Sequence, residues 1–167
     1  MRSEDLRRSF PGRRAAGAAC VLLLAQSCAL AAGDPLAGTW ELQPRLSHYA
    51  SGAVPKRMTV VIEALEGAIH YRSSSETAAG VQSSAEYTAA FDGVPVLVTG
   101  HTGLLAPVAL RRLDARTVEA TYARPFLLLA TSRWSASRDG RRLTIATRTT
   151  GTATPARTNV SVYRRVP

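Results

Sequence analysis

Side chains able to do chemistry are thinly spread along this sequence. Its three histidines, His48, His70 and His101, lie on different segments, and none pairs with another at metal-ligand spacing. His70 shares a strand face with Arg72 and reads as solvated, while His101 sits in a loop bracketed by Gly100 and Gly103. Serine and threonine are abundant, but neither a G-x-S-x-G elbow nor an S-x-x-K pair is present to activate one. Glu66, Asp92, Asp114 and Asp139 occupy hairpin corners, so a paired acid and base would need distant carboxylates to meet. No glycine-rich phosphate loop appears. These absences point away from an enzyme and from any metal or cofactor. They leave binding as the chemistry to explain.

Candidate binding residues come from strand alternation. One apolar face of the best-defined segments carries Tyr71, Tyr87, Ala89, Phe91, Val118, Ala120 and Tyr122, mixing aromatics with very small side chains. Tyrosine offers an apolar wall with a polar tip, and alanine leaves space for a guest. Arg112 and Arg133 are candidates to meet an acidic head group if they point inward, and alternation admits either face for both. The ligand candidates are therefore Tyr71, Tyr87, Ala89, Phe91, Ala120, Tyr122 and Arg133. A filled interior, with function carried by surface protein–protein contact in the envelope, is the alternative.

The segments that must position these residues are short, alternating and split by turn signals. Strands are expected over Gly38–Leu42, Lys56–Leu65, Ala68–Ser74, Gln82–Phe91, Val94–Thr99, Pro107–Leu113, Arg116–Tyr122, Phe126–Ser135, Arg141–Thr149 and Asn159–Arg165. Asp92-Gly93 and Asp139-Gly140 are hairpin signals, and Glu66-Gly67 and Asp114-Ala115 supply two more corners. No window offers an amphipathic helix beyond a turn near Leu46–Tyr49. Eight to ten meandering strands predict an all-β, up-and-down antiparallel β-barrel, since closure removes the sheet edges.

Ahead of the strands, residues 1–31 read as a bacterial-type signal peptide. Arg2, Arg7, Arg8, Arg13 and Arg14 form a basic region, Ala15–Leu30 an apolar run, and Ala29-Leu30-Ala31 a small-x-small cleavage site. The run falls short of the ~20 apolar residues of a membrane span. Arg7-Arg8-Ser9-Phe10 fits a twin-arginine signal, and the same layout fits the general secretory route. Cys28 would allow a lipid anchor, although Ala25-Gln26-Ser27 makes a poor lipobox. Removing the leader removes both cysteines, leaving residues 32–167 as one thiol-free domain, periplasmic or secreted and expected to be monomeric without a membrane span.

The whole 167-residue chain carries a formal charge of +9, and residues 32–167 hold 16 basic and 10 acidic side chains. The arginines are scattered as singles or pairs, with no tract or aromatic-interleaved stripe, which argues against nucleic acid.

Residues 32–167 resemble the lipocalin-like (calycin) domains of secreted bacterial proteins. Gly38-Thr39-Trp40 matches the G-x-W that opens the first lipocalin strand. Leu46-Ser47-His48-Tyr49, Glu86-Tyr87-Thr88 with Phe91-Asp92-Gly93, Leu110–Val118, Asp139-Gly140 with Leu143-Thr144, and Val162-Tyr163 follow in order. The resemblance implies a small barrel with an internal cavity for an apolar or amphipathic small molecule. It further implies that Trp40 plugs one end beneath an arginine of the last strand, for which Arg164 and Arg165 are the candidates.

Overall fold

The computed structural model describes residues 33–50, 52–102, 104–150 and 155–167. The expected leader, its cleavage site and Cys28 lie outside the described residues. The described residues form eleven strands: β1 (Gly38–Leu42), β2 (His48–Tyr49), β3 (Arg57–Leu65), β4 (Ala68–Glu76), β5 (Gln82–Ala90), β6 (Thr99–His101), β7 (Val108–Asp114), β8 (Thr117–Arg124), β9 (Leu127–Ala136), β10 (Arg142–Thr149) and β11 (Arg157–Val166). A single 3-10 turn, Pro44–Leu46, follows β1. No helix among the described residues is long and apolar enough to cross a membrane.

All strands belong to one antiparallel sheet in the order β6-β5-β4-β3-β1-β11-β10-β9-β8-β7, with β2 added beside β11. The first and last long strands therefore meet at its centre, where Trp40 faces Arg165 and Leu42 faces Tyr163. Two meanders spread from that pair in opposite directions. The sheet curls back on itself: the rings of Tyr71 on β4 and Trp134 on β9 lie 5.2 Å apart, although four strands separate β4 from β9 in the sheet. Alternation places Val60, Ile62, Ile69, Val118, Trp134, Leu143 and Tyr163 in one buried cluster on the inner face.

The expectation of a closed barrel needs correction. β6 and β7 are the ends of the hydrogen-bonded order, and no ladder joins them. Two isolated bridges, Asp92 to Arg111 and Val96 to Val108, fasten the segment after β5 to β7 instead. The Val94–Thr99 strand expected there is absent apart from Thr99, because Pro95 has no N–H to donate to a ladder. Two further shifts are local. Gly100 and His101, expected in a loop, belong to β6, and Gly100 is pressed so closely on β5 that a Cβ would run into the Ser84 carbonyl. Phe126, expected to open the most apolar strand, sits in the turn before β9 with φ 62°.

One end of the curled sheet is sealed. Trp40 is fully buried, and its Nε1–H donates to the Leu36 carbonyl at 2.9 Å. The Arg165 guanidinium lies 4.2 Å from the centre of the indole. Its N–H groups donate to the carbonyls of Pro35, Ala37 and Gly140. A side chain at Gly38 would collide with that guanidinium, which explains the glycine two residues before the tryptophan. Asp34 forms an ion pair with Arg112 on β7, so the segment leading into β1 is tied to both halves of the sheet. Of the two closing candidates, Arg165 stacks on Trp40. Arg164 does not: alternation turns it outward to Glu41, at 3.2 Å.

Trp40→Ala is expected to cost about 3–5 kcal/mol, the range for deleting a large buried aromatic. Arg164→Ala should change stability by no more than about 0.5 kcal/mol, as for an exposed ion pair. Urea denaturation of both variants checks the assignment. Equal losses would mean that Trp40 does not hold this end together.

Candidate functional site

Away from the sealed end the interior is hollow. A cavity of about 440 Å³ opens between the strands, and all five tyrosines of the chain, Tyr49, Tyr71, Tyr87, Tyr122 and Tyr163, line it. Trp134, Met58 and Ile145 add apolar wall, and Ser73, Ser75, Ser132, Thr147 and Ser161 add hydroxyls. Among the described residues no charged side chain and no histidine reaches it. Alternation explains much of the lining, since Tyr71, Ser73 and Ser75, Ser132 and Trp134, and Ser161 and Tyr163 each belong to their strand's inner row with an outward neighbour between them.

The wall is partly ordered by its own contacts. Tyr71 and Tyr87 are direct cross-strand partners with rings stacked at 4.9 Å. The hydroxyls of Tyr49 and Ser161 are 2.7 Å apart, those of Ser132 and Thr147 are 2.6 Å apart, and Tyr163 donates to the Met58 sulfur at 3.3 Å. Among the described residues, two buried side-chain polar atoms have no partner: the Tyr87 hydroxyl and the Trp134 Nε1–H. The Tyr122 hydroxyl is near enough to influence the ionisation of Tyr87 but does not form a hydrogen bond of good geometry with it. An unpaired buried donor is costly, of order 1–3 kcal/mol.

The expected ligand residues divide. Tyr71, Tyr87 and Tyr122 line the cavity. Ala89 and Ala120 share their face but lie in the packed core, at 1% and 0% exposure, and leave no open space. Phe91 packs at the core's margin under the Arg112 guanidinium, 4.1 Å away. Arg133 is excluded from the interior: Ser132 and Trp134 point inward, so it must point out, and it is exposed. Arg112 likewise meets no guest, being engaged by Asp34 and Phe91. Sequence reasoning missed Tyr49, Trp134, Ser132, Ser161 and Tyr163. Alternation alone would have linked Ser132 to Trp134 and Ser161 to Tyr163.

His70 stands on the outer face, 2.9 Å from Glu86 and 3.5 Å from Glu63, whose carboxylate also takes Arg72 at 2.6 Å. This is a half-exposed charge network, and no group of metal-ligating side chains is assembled among the described residues.

Burial disfavours ionisation of four of the cavity tyrosines. Desolvation pushes the Tyr71 hydroxyl up to about 12, and it raises Tyr87, Tyr122 and Tyr163 as well. In the unfolded chain these groups ionise near ~10. Their contribution to stability is therefore complete below about pH 10 and is lost as pH rises through the folded-state values. Tyrosine absorbance near ~295 nm should show most of the tyrosines still un-ionised at about pH 11 in the native protein, then ionising together with unfolding. A simple titration of all tyrosines near pH ~10 with the fold intact would mean that the cavity wall is wet and open.

No protein-family model matches the sequence, and no curated protein matches it. Among solved structures the chain is similar to "Crystal Structure of Rv2717c from M. tuberculosis", at 14% identity and a TM-score of 0.52. The match covers 80% of this chain and 94% of that one. At that identity the likeness is one of fold alone.

Proposed function

We propose that this chain is an exported, lipocalin-like protein, periplasmic or secreted, that holds a small apolar or amphipathic molecule inside its curled sheet. The observation that carries the proposal is the cavity of about 440 Å³ walled by every tyrosine in the chain and by no charge. A space of this size and lining suits a small organic guest. The wall favours an uncharged polar group on that guest, because hydroxyls can share hydrogen bonds with it whereas no arginine is present to neutralise an acid. Binding is favoured over catalysis because His48, His70 and His101 all lie off the cavity and burial holds Tyr71, Tyr87, Tyr122 and Tyr163 protonated. Support for the lipocalin-like architecture comes from the Gly38–Trp40–Arg165 seal and from the two bridges that fasten the open edge of the sheet.

Uptake of an environment-sensitive apolar dye tests the proposal. Ala85 lines the cavity two residues from Tyr87 on the same face, so Ala85→Phe should fill the space, abolish uptake and leave the melting temperature nearly unchanged. Ala120→Phe, placed in packed core, should instead destabilise by about 1–3 kcal/mol or more. A wild-type protein that takes up no dye, together with an Ala85→Phe variant as unstable as Ala120→Phe, would mean a filled interior and a protein that acts through its surface.

A further inference from the structure

We propose that the rim of the cavity mouth is a docking surface for an anionic lipid bilayer. The mouth lies at the end of the sheet opposite Trp40, where β4 and β8 finish and β5 and β9 begin. At the tip of the β8–β9 hairpin, Phe126 is completely exposed, with Leu127 and Leu128 partly exposed beside it. Leu104 and Val81, from neighbouring loops at the same end, are also exposed. Phe126 moreover adopts φ 62°, a left-handed conformation that suits glycine and is rare for a bulky aromatic. The isolated molecule gains nothing from holding this ring in water by a strained backbone. An apolar medium outside the molecule would give the ring a place to bury.

Charge identifies that medium. Lys56, Arg57, Arg124, Arg148 and Arg157 stand at or near the same strand ends. Of the acidic residues in the described structure only Glu76 is at this end, where Arg57 and Lys56 both reach it. Among the described residues, Arg124, Arg148 and Arg157 form no ion pair. Asp34, Glu66, Asp114 and Asp139 are gathered at the opposite, sealed end. The mouth is thus an apolar tip inside a rim whose cations outnumber its single carboxylate, whereas at the sealed end Arg112, Arg116 and Arg141 stand among the carboxylates. A bilayer with anionic headgroups matches both features at once: phosphates meet the arginines, and the acyl boundary receives Phe126 and its leucine neighbours. The orientation would also turn the cavity mouth toward the lipid.

Cosedimentation with vesicles tests the surface. The protein should pellet with phosphatidylglycerol vesicles and stay in solution with phosphatidylcholine alone, and pelleting should weaken as salt is raised. Phe126→Gly suits the backbone at that position, so the variant should melt no lower than wild type yet bind vesicles about tenfold more weakly. Trp40 and Trp134 are buried, so Phe126→Trp adds an exposed reporter whose emission should shift to the blue on the same vesicles. The proposal is overturned if wild type ignores anionic vesicles at low salt, or if Phe126→Gly binds them equally well. It is also overturned if sedimentation shows a dimer that Phe126→Gly dissolves, which would make the rim a self-association surface. Dye uptake separates this from the binding function. Protein that takes up dye but ignores vesicles refutes the docking surface alone, and the converse refutes only the cavity.

Discussion

The clamp on Trp40 is the contact on which the rest of the architecture depends. The described residues include no cysteine, so the first and last strands among them are held by packing and hydrogen bonds. Arg165 does this with one planar group, stacking on the indole while its N–H groups reach carbonyls of the segment leading into β1 and of the β9–β10 turn. A lysine could supply the charge but not the fork or the stacking plane. Because Trp40 faces Arg165 directly across the β1–β11 ladder, the clamp also sets the register of the central pair. A slip by one residue would turn every inner side chain outward.

From this seal the interior changes character along its length. Near Trp40 the inner rows are filled by Leu36, Ile62, Ile69, Val118 and Leu143, all essentially inaccessible. Toward the mouth the same rows continue in serine, threonine and tyrosine. Small hydroxyl residues at inward positions forgo apolar burial worth roughly 1.5–3 kcal/mol for each large aliphatic side chain. The sealed half carries the stability, and the hollow half is left free of that demand.

Much of this was legible in the sequence, for identifiable reasons. Alternation is a strong signal where one face is buried, and Met58–Glu63 and Gln82–Ala90 fall on the faces it predicts. The same alternation set Tyr71, Tyr87 and Tyr122 on one face, and all three line the cavity. Depth along the strand was not legible. Ala89 and Ala120 share a face with those tyrosines, yet period two says nothing about which end of the row is packed. Parity failed at Arg133 because the segment before it, Phe126–Leu129, is apolar on both faces and hides the phase of the strand. Closure was overestimated because strand count cannot register what Pro95 does to one ladder.

The distribution of charge follows from the same constraint. The described domain is rich in arginine, yet every one is kept off the cavity wall. A guanidinium placed there without a carboxylate partner would bear a desolvation penalty of several kcal/mol. Tyrosine avoids that penalty: it remains neutral when buried and still presents a donor. Arg112 shows the alternative solution, since it enters the partly buried sealed end only in company with Asp34 and the face of Phe91. Under the proposed function, discrimination inside the cavity therefore rests on shape and hydrogen bonding. On the same reading, a guest would leave such a wall without any ion pair having to break.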